Sequence, residues 1–136
     1  MADFKKLKVW RDSHRLSVVV YDLARTLPRE ELYGLRSQMT RAAGSIAANI
    51  AEGVGRGGDR ELARFLDIAL GSATELECHS LRAMDLEFIR PQAAHVFLVD
   101  LDSVQKMIAG LRLQVRRRVR ASGRRVPYPP HLGSST

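Results

Sequence analysis

The clearest pattern of apolar positions lies in residues 36–53, which read RSQMTRAAGSIAANIAEG. Apolar residues recur there at spacings of three and four, which places them on one face of an α-helix. They are Met39, Ala43, Ile46, Ala47 and Ile50. Most of these side chains are small, so a neighbouring backbone can approach this face closely. The pattern therefore predicts a helix that is enclosed by other helices.

A second stripe of polar residues runs beside the apolar one, at spacings of four, four and three. A buried charge or amide without a hydrogen-bond partner costs several kcal/mol, so these residues need partners. We expect Glu75 of the following helix to be the partner of Arg41 or Asn49. The predicted structural polar network comprises Arg41, Ser45, Asn49, Glu52, Ser72 and Glu75.

The same periodicity predicts four long helices, at residues 7–26, 36–53, 59–86 and 91–121. Pro28 stops the first helix, because the residue before a proline disfavours helical geometry. The connector that follows is expected to hold Tyr33 and Leu35 against the bundle. Short connectors make consecutive helices antiparallel, so the predicted fold class is all-α, an antiparallel up-down-up-down four-helix bundle. Residues 123–136 are predicted to be a flexible tail.

The helix ends carry their own signals. Ser37 and Asp59 are plausible N-caps of the second and third helices, and Ser122 with Gly123 is expected to end the fourth. Residues 53–58 read GVGRGG and contain a literal G-x-G-x-x-G pattern. A dinucleotide-binding fingerprint must follow a strand, whereas this pattern follows a predicted helix. We interpret it as a glycine-rich turn between two helices.

Charge is distributed unevenly along the 136-residue chain, which has a net charge of +7. All acidic residues precede position 112. An equal number of Lys and Arg residues precedes the same position and balances their charge. The excess comes entirely from Arg112, Arg116, Arg117, Arg118, Arg120, Arg124 and Arg125. Such a cluster concentrates positive potential and attracts phosphate backbones. It predicts a nucleic-acid-binding segment; the alternative is a solvated end that aids solubility.

Aromatic residues are almost absent from this segment, since only Tyr128 is interleaved with the arginines. Stacking on bases therefore has little support from the sequence. Any binding is expected to be led by phosphate contacts and to be weakly sequence-specific.

Several other functional classes have little support. The single cysteine, Cys78, fits a reducing compartment. Charges throughout residues 1–20 argue against a signal peptide, and no apolar run approaches the ~20 residues of a membrane span. We therefore expect a cytoplasmic protein.

Metal and catalytic sites are also not expected. Cys78 and His79 are adjacent on a predicted helix and point about 100° apart, which is a poor start for a shared metal. Glu52 and Glu75 lack the Glu-x-x-His spacing of di-metal bundles. Neither serine of the polar network has an evident His and Asp relay. The sequence predicts no metal, no cofactor and no enzymatic activity.

Two blocks, QMTRAAGSIAANIAEG at residues 38–53 and GSATELE at residues 71–77, resemble the four-helix-bundle family of 23S ribosomal-RNA intervening-sequence proteins. The similarity covers about residues 4–115, and Trp10 and Tyr21 fit the family's first helix. Gly44 and Leu62 depart from the usual pattern, which bears on packing detail rather than on the fold.

The resemblance implies a left-handed antiparallel bundle that assembles into a barrel-like homopentamer, without an established enzymatic activity. Related proteins include the accessory variability protein of diversity-generating retroelements, which resembles a basic pentameric platform for nucleic acid and a reverse transcriptase. Our leading hypothesis is a non-enzymatic oligomeric scaffold that binds nucleic acid, in the first place RNA, through the C-terminal arginines. The alternative is a protein-interaction module, for example a partner of a reverse transcriptase or another neighbouring gene product. An enzyme is the third hypothesis.

Overall fold

A computed structural model describes residues 3–124, and four α-helices account for most of them. The helices are α1 (Lys8–Ala24), α2 (Leu35–Gly55), α3 (Asp59–Asp85) and α4 (Pro91–Arg124). Two short 3-10 turns, Phe4–Lys6 and Arg29–Glu31, precede α1 and α2. No strand occurs among the residues described. The predicted all-α class with four helices is confirmed.

One apolar core is shared by all four helices, and α2 lies deep within it. Met39, Ala43, Ile46 and Ile50 are fully buried, so the predicted apolar face of α2 is a core face. A Cβ atom added at Gly53 would lie 2.8 Å from the Cβ of Phe65 on α3, so the two backbones approach closely there. The core residues of α4 are spaced by three, four or seven positions: Phe97, Leu101, Val104, Ile108 and Val115.

Contacts between α3 and α4 bring the N-terminal end of α3 and the C-terminal end of α4 together. The Gln105 amide donates to the Glu77 carboxylate at 3.0 Å, while Arg118 pairs with Asp59 at 3.1 Å. Residue numbers thus increase along α4 as those of their partners decrease along α3. Consequently the first turns of α3 lie beside the arginine-rich C-terminal part of α4.

The start of α2 differs from the prediction. The helix begins at Leu35 with Gly34 at the N-cap position, and Ser37 lies inside the first turn rather than capping it. The carboxylate of Glu31 accepts a hydrogen bond from the Leu35 backbone N–H at 3.0 Å. A side chain from the preceding 3-10 turn therefore satisfies the free N–H group at the start of the helix.

The start of α3 also differs from the prediction of Asp59 as its N-cap. Gly58 is the N-cap, and Asp59 is the first helical residue without a side-chain capping bond. The Asp59 carboxylate instead accepts hydrogen bonds from Arg118. Gly57 has φ +82°, a left-handed conformation that favours glycine and turns the chain from α2 into α3.

Two further expectations are wrong. Tyr33 does not pack on the bundle, because its side chain is 91% exposed, whereas Leu35 is buried. The helix α4 continues through Ser122 and Gly123 to Arg124 instead of ending there. Arginine is a good helix former, and the run before Ser122 supports the extra turn. The rest of the predicted tail lies outside the described residues.

Candidate nucleic-acid interface

The C-terminal arginines of α4 lie against α3 rather than standing alone. Arg112 and Arg116 both donate to the carboxylate of Asp67, Arg116 at 2.7 Å, and Arg118 donates to Asp59. The arginine cluster is therefore partly neutralised, contrary to the expectation of a cationic end free of acidic neighbours. This pairing could not be predicted from the sequence, because Asp59 and Asp67 are far from the cluster along the chain.

Two arginines of α4 differ from the three that are paired. Arg117 and Arg120 are exposed and have no carboxylate within ion-pair distance in residues 3–124. The side chain of Arg124 and the whole of Arg125 lie outside the described part of the chain. The two exposed guanidinium groups keep all their donors for water or a ligand.

The ion pairs shift the pKa of Asp67 and of Arg118 in the direction that favours the charged form. Burial raises the pKa of the Asp67 carboxyl, but hydrogen bonds and positive charge from Arg116 and Arg112 outweigh burial and leave the pKa below its usual value. The hydrogen bond to Asp59 raises the pKa of Arg118 above its usual range. The side chains of Asp67 and Arg116 are 41% and 45% exposed, so solvent screens their attraction.

Two arginines of α3, Arg60 and Arg64, join this surface although the sequence analysis did not assign them to it. Their spacing of four on one helix is the signal that could have indicated a shared face. Together with α4 they border a groove of about 440 Å³. We call this the arginine groove; its lining residues are Arg60, Ala63, Arg64, Asp67, Arg116, Val119 and Arg120.

The end of α2 extends the surface beyond the arginine groove. The guanidinium carbons of Arg56 and Arg64 lie 5.4 Å and 4.5 Å from the ring centroid of Phe65, within the range of cation–π attraction. Arg56 also donates to Glu52, and Arg64 to Glu61, each at 2.8 Å. These contacts hold both guanidinium groups near the arginine groove.

Arginines outnumber carboxylates two to one on this surface. Its arginines with described side chains are Arg56, Arg60, Arg64, Arg112, Arg116, Arg117, Arg118 and Arg120, and its carboxylates are Glu52, Asp59, Glu61 and Asp67. The excess positive charge remains after pairing, so the surface attracts polyanions and repels cations. We call it the arginine-rich end of the bundle.

Half of the predicted polar network is assembled between α2 and α3. The hydroxyl oxygens of Ser45 and Ser72 lie 2.9 Å apart across the two helices. The side-chain amide of Asn49 donates to the Ser45 hydroxyl and to the Ser45 backbone carbonyl, both at 2.8 Å. All three side chains are partly buried, and each has a partner.

The other half is not assembled. Arg41, Glu52 and Glu75 are exposed, and Glu75 contacts His79 on its own helix at 3.3 Å. The expected pairing of Glu75 with Arg41 or Asn49 is therefore wrong. A step of four residues rotates about 40° around a helix. The polar stripe consequently turns around α2, and only its central part meets α3.

Residues 3–124 show the features of neither a metal site nor a membrane span. No group of three or more His, Cys, Asp or Glu side chains in this range is placed to hold a metal ion. No α-helix in it has the length and apolar character needed to cross a membrane. The Nδ1 atom of His79 is the only buried side-chain nitrogen or oxygen in the described range without a hydrogen-bond partner.

Fold and charge together define a small helical-bundle protein with an arginine-rich end. The family model of the 23S rRNA-intervening sequence protein matches residues 5–110. The chain belongs to this family, as the resemblance indicated. The matched residues include Arg60 and Arg64 but end before Arg112, so the α4 arginines lie beyond the region that establishes the family.

The fold is also similar to one that has been solved by crystallography. That structure is a protein of unknown function from the S23 ribosomal protein family of Bacteroides thetaiotaomicron. The TM-score is 0.71 at 24% sequence identity, and the alignment covers 76% of this chain and 96% of that chain. Similarity at this identity establishes the fold alone. A comparison with curated proteins found no match.

Proposed function

We propose that the chain is a non-enzymatic cytoplasmic scaffold that binds nucleic acid, in the first place RNA, through the arginine-rich end. The observation that carries the proposal is the gathering of arginines from α3, from α4 and from the end of α2 at one end of the bundle. Arg60, Arg117 and Arg120 have no carboxylate partner in the described range. Guanidinium groups bind phosphate oxygens through two parallel hydrogen bonds. The family name refers to 23S rRNA, which makes RNA the first ligand to test.

The paired arginines can still take part in binding. A guanidinium group has five N–H donors, and Arg116 uses one nitrogen to contact Asp67. Because the pair is partly exposed, its attraction is of the order of 1 kcal/mol or less. A phosphate can therefore share these arginines or displace the carboxylate. Contacts of this kind position a backbone and carry little sequence information.

We also propose that the chain is an up-down-up-down bundle and that five copies of it assemble into a ring, as the family resemblance implies. Several apolar side chains are exposed in the single chain, including Tyr33 at 91%, Val96 at 64% and Val99 at 54%. Val96 and Val99 lie three positions apart on α4 and share one face, and an exposed apolar face of this kind is available for contact with a second subunit. A ring would bring several arginine-rich ends to one ligand and raise the overall affinity. Light scattering should then give a mass of five times 15.2 kDa.

Filter binding of RNA against salt concentration tests the nucleic-acid proposal. The wild-type protein is expected to bind at ~50 mM salt and to lose affinity steeply as salt rises. Serine at Arg117 and Arg120 should lower the affinity about tenfold and reduce the salt slope by about 1 to 2.

The matched control replaces Arg82 and Arg90 by serine. These are also exposed arginines, and they lie at the end of α3 and in the connector before α4, away from the arginine-rich end. The control removes the same net charge and should change the affinity less than about twofold. Equal losses in the two variants, or no binding by the wild type at ~50 mM salt, would refute the proposal. A variant with serine at all six arginines from Arg116 to Arg125 should not bind.

A protein-interaction module is the second candidate, and the exposed connector before α2 favours it. Leu32 and Tyr33 are 44% and 91% exposed on adjacent positions. A complex with another polypeptide that survives nuclease treatment, and that is lost on Tyr33→Ala but not on Arg117→Ser, would support this candidate over the first.

A further inference from the structure

The arginine groove contains an apolar surface that binding of phosphate alone does not require. Ala63 of α3, which is 9% exposed, and half-buried Val119 of α4 form the apolar part of its lining. Phosphate groups are strongly hydrated and gain nothing from contact with methyl groups. The ligand that fits this groove therefore has an apolar face as well as negative charge.

Cationic and apolar residues alternate on the two helices that border the arginine groove. Ala63 lies between Arg60 and Arg64 on α3, and Val119 lies between Arg116 and Arg120 on α4, so each helix contributes one apolar residue and two arginines. Neither Arg60 nor Arg120 has a carboxylate partner in the described range. Positive charge thus lies on both sides of the apolar surface.

We propose that the arginine groove binds single-stranded nucleic acid by seating an unstacked base against Ala63 and Val119, with neighbouring phosphates on Arg60 and Arg120. This inference rests on the proposed function and specifies its substrate class. Guanidinium planes and apolar side chains stack on the faces of bases in single strands. The groove volume of about 440 Å³ lies in the range of small-ligand sites.

Other polyanions fit the arginine groove less well. Bases of a duplex are stacked inside it, so a duplex offers phosphates to the arginines but leaves the apolar surface unused. An acidic amphipathic helix needs a row of apolar contacts at spacings of three and four. The arginine groove supplies only two apolar residues, one from each helix.

Fluorescence anisotropy with four labelled probes tests the inference on the full-length protein. The probes are a single-stranded RNA of about 16 nucleotides, an abasic strand of equal length, a duplex of the same sequence and a glutamate-rich peptide. At equal salt, the single strand is expected to bind about tenfold more tightly than the abasic strand. It should also bind more tightly than the duplex and the peptide.

Val119→Thr keeps the side-chain shape but replaces a methyl group by a hydroxyl, and should reduce the preference for the single strand over the abasic strand about threefold. The matched control is Val18→Thr, since Val18 is an exposed valine on α1 outside the arginine groove. It should leave the preference unchanged. Thermal unfolding of both variants checks that each is folded.

The outcomes separate this inference from the proposed function. Equal affinities for the single strand and the abasic strand would show that no base binds against Ala63 and Val119, while nucleic-acid binding itself would stand. Equal affinities for the single strand and the duplex would lead to the same conclusion. Tighter binding of the peptide than of any nucleic acid would identify a protein as the occupant. Absence of all nucleic-acid binding at ~50 mM salt would remove the proposed function and this inference together.

Discussion

The helix α3 contacts its two neighbours through different chemistry. Toward α2 it presents Ser72, which joins Ser45 and Asn49 in a neutral, partly buried network beside a close backbone approach. Toward α4 it presents Asp59 and Asp67, which accept hydrogen bonds from exposed arginines. Neutral contacts respond little to salt and pH. Exposed ion pairs weaken as the salt concentration rises and as low pH protonates the carboxylate. The neutral network therefore holds α2 and α3 together under varied conditions, whereas the arginines in these ion pairs remain open to a charged ligand.

The largest effect on stability should come from adding a methyl group between α2 and α3. Gly53→Ala places a Cβ atom 2.8 Å from the Cβ of Phe65, and this overpacking should cost about 1–3 kcal/mol. Gly110→Ala is the matched control, because nothing lies within 4 Å of its added Cβ atom. Because position 110 is exposed, this change should stabilise α4 by about 0.5–1 kcal/mol. Chemical denaturation should give shifts of opposite sign, and the same sign in both would contradict the packing.

The neutral network gives the next effect. Ser45→Ala leaves the Ser72 hydroxyl without a partner and removes one of the two hydrogen bonds of the Asn49 amide, which should cost about 1–2 kcal/mol at low and high salt alike. Glu75→Ala should change stability by less than about 0.5 kcal/mol, because Glu75 is exposed and outside the network. Thermal unfolding in both salts measures this. A larger loss for Glu75→Ala would restore its place in the network.

The ion pairs to α4 should matter less for stability. Asp67→Asn should cost less than about 1 kcal/mol, and the loss should shrink as salt rises. The same substitution should raise the affinity for RNA, because Arg112 and Arg116 no longer contact a carboxylate. Asp22→Asn is the control, since Asp22 forms an exposed pair with Arg25 on α1. Weaker RNA binding by Asp67→Asn would mean that Asp67 orients the arginines rather than competing for them.

The pH dependence should be the smallest effect. The pKa of Asp67 is lowered in the folded protein, so its contribution is complete above the unfolded pKa of about 3.9. The contribution is lost as the pH falls through the lower folded pKa. The stability difference between wild type and Asp67→Asn should therefore be constant above about pH 5 and shrink below about pH 4. A difference that grows on acidification would contradict the lowered pKa.

Most of the fold could be predicted from the sequence, but much of the site could not. The apolar positions of α4, from Phe97 to Val115, repeat over many turns and leave little doubt about a helix or its buried face. Tyr33 shows the limit of this reasoning, because an aromatic residue in a connector has no periodicity that fixes its direction. It is exposed, although its residue type favours burial.

The site depends on pairings that are distant along the chain. Arg112 and Asp67 are 45 positions apart, and Arg118 and Asp59 are 59 apart. Such pairs follow from the rotation and register of α4 against α3, which a charge count along the sequence does not contain. For the same reason, Arg60 and Arg64 could be recognised as neighbours of each other but not as neighbours of the α4 arginines.

The sequence by itself determined four helices, their buried faces and the concentration of positive charge in one segment. Each of these follows from local periodicity or composition, and the family match agrees with the fold. Only the tertiary structure decided which arginines are paired with carboxylates, which polar residues meet across α2 and α3, and that an apolar surface lies among the arginines. These features require two helices to pack at one particular rotation and register, and that packing is selected by the whole core at once.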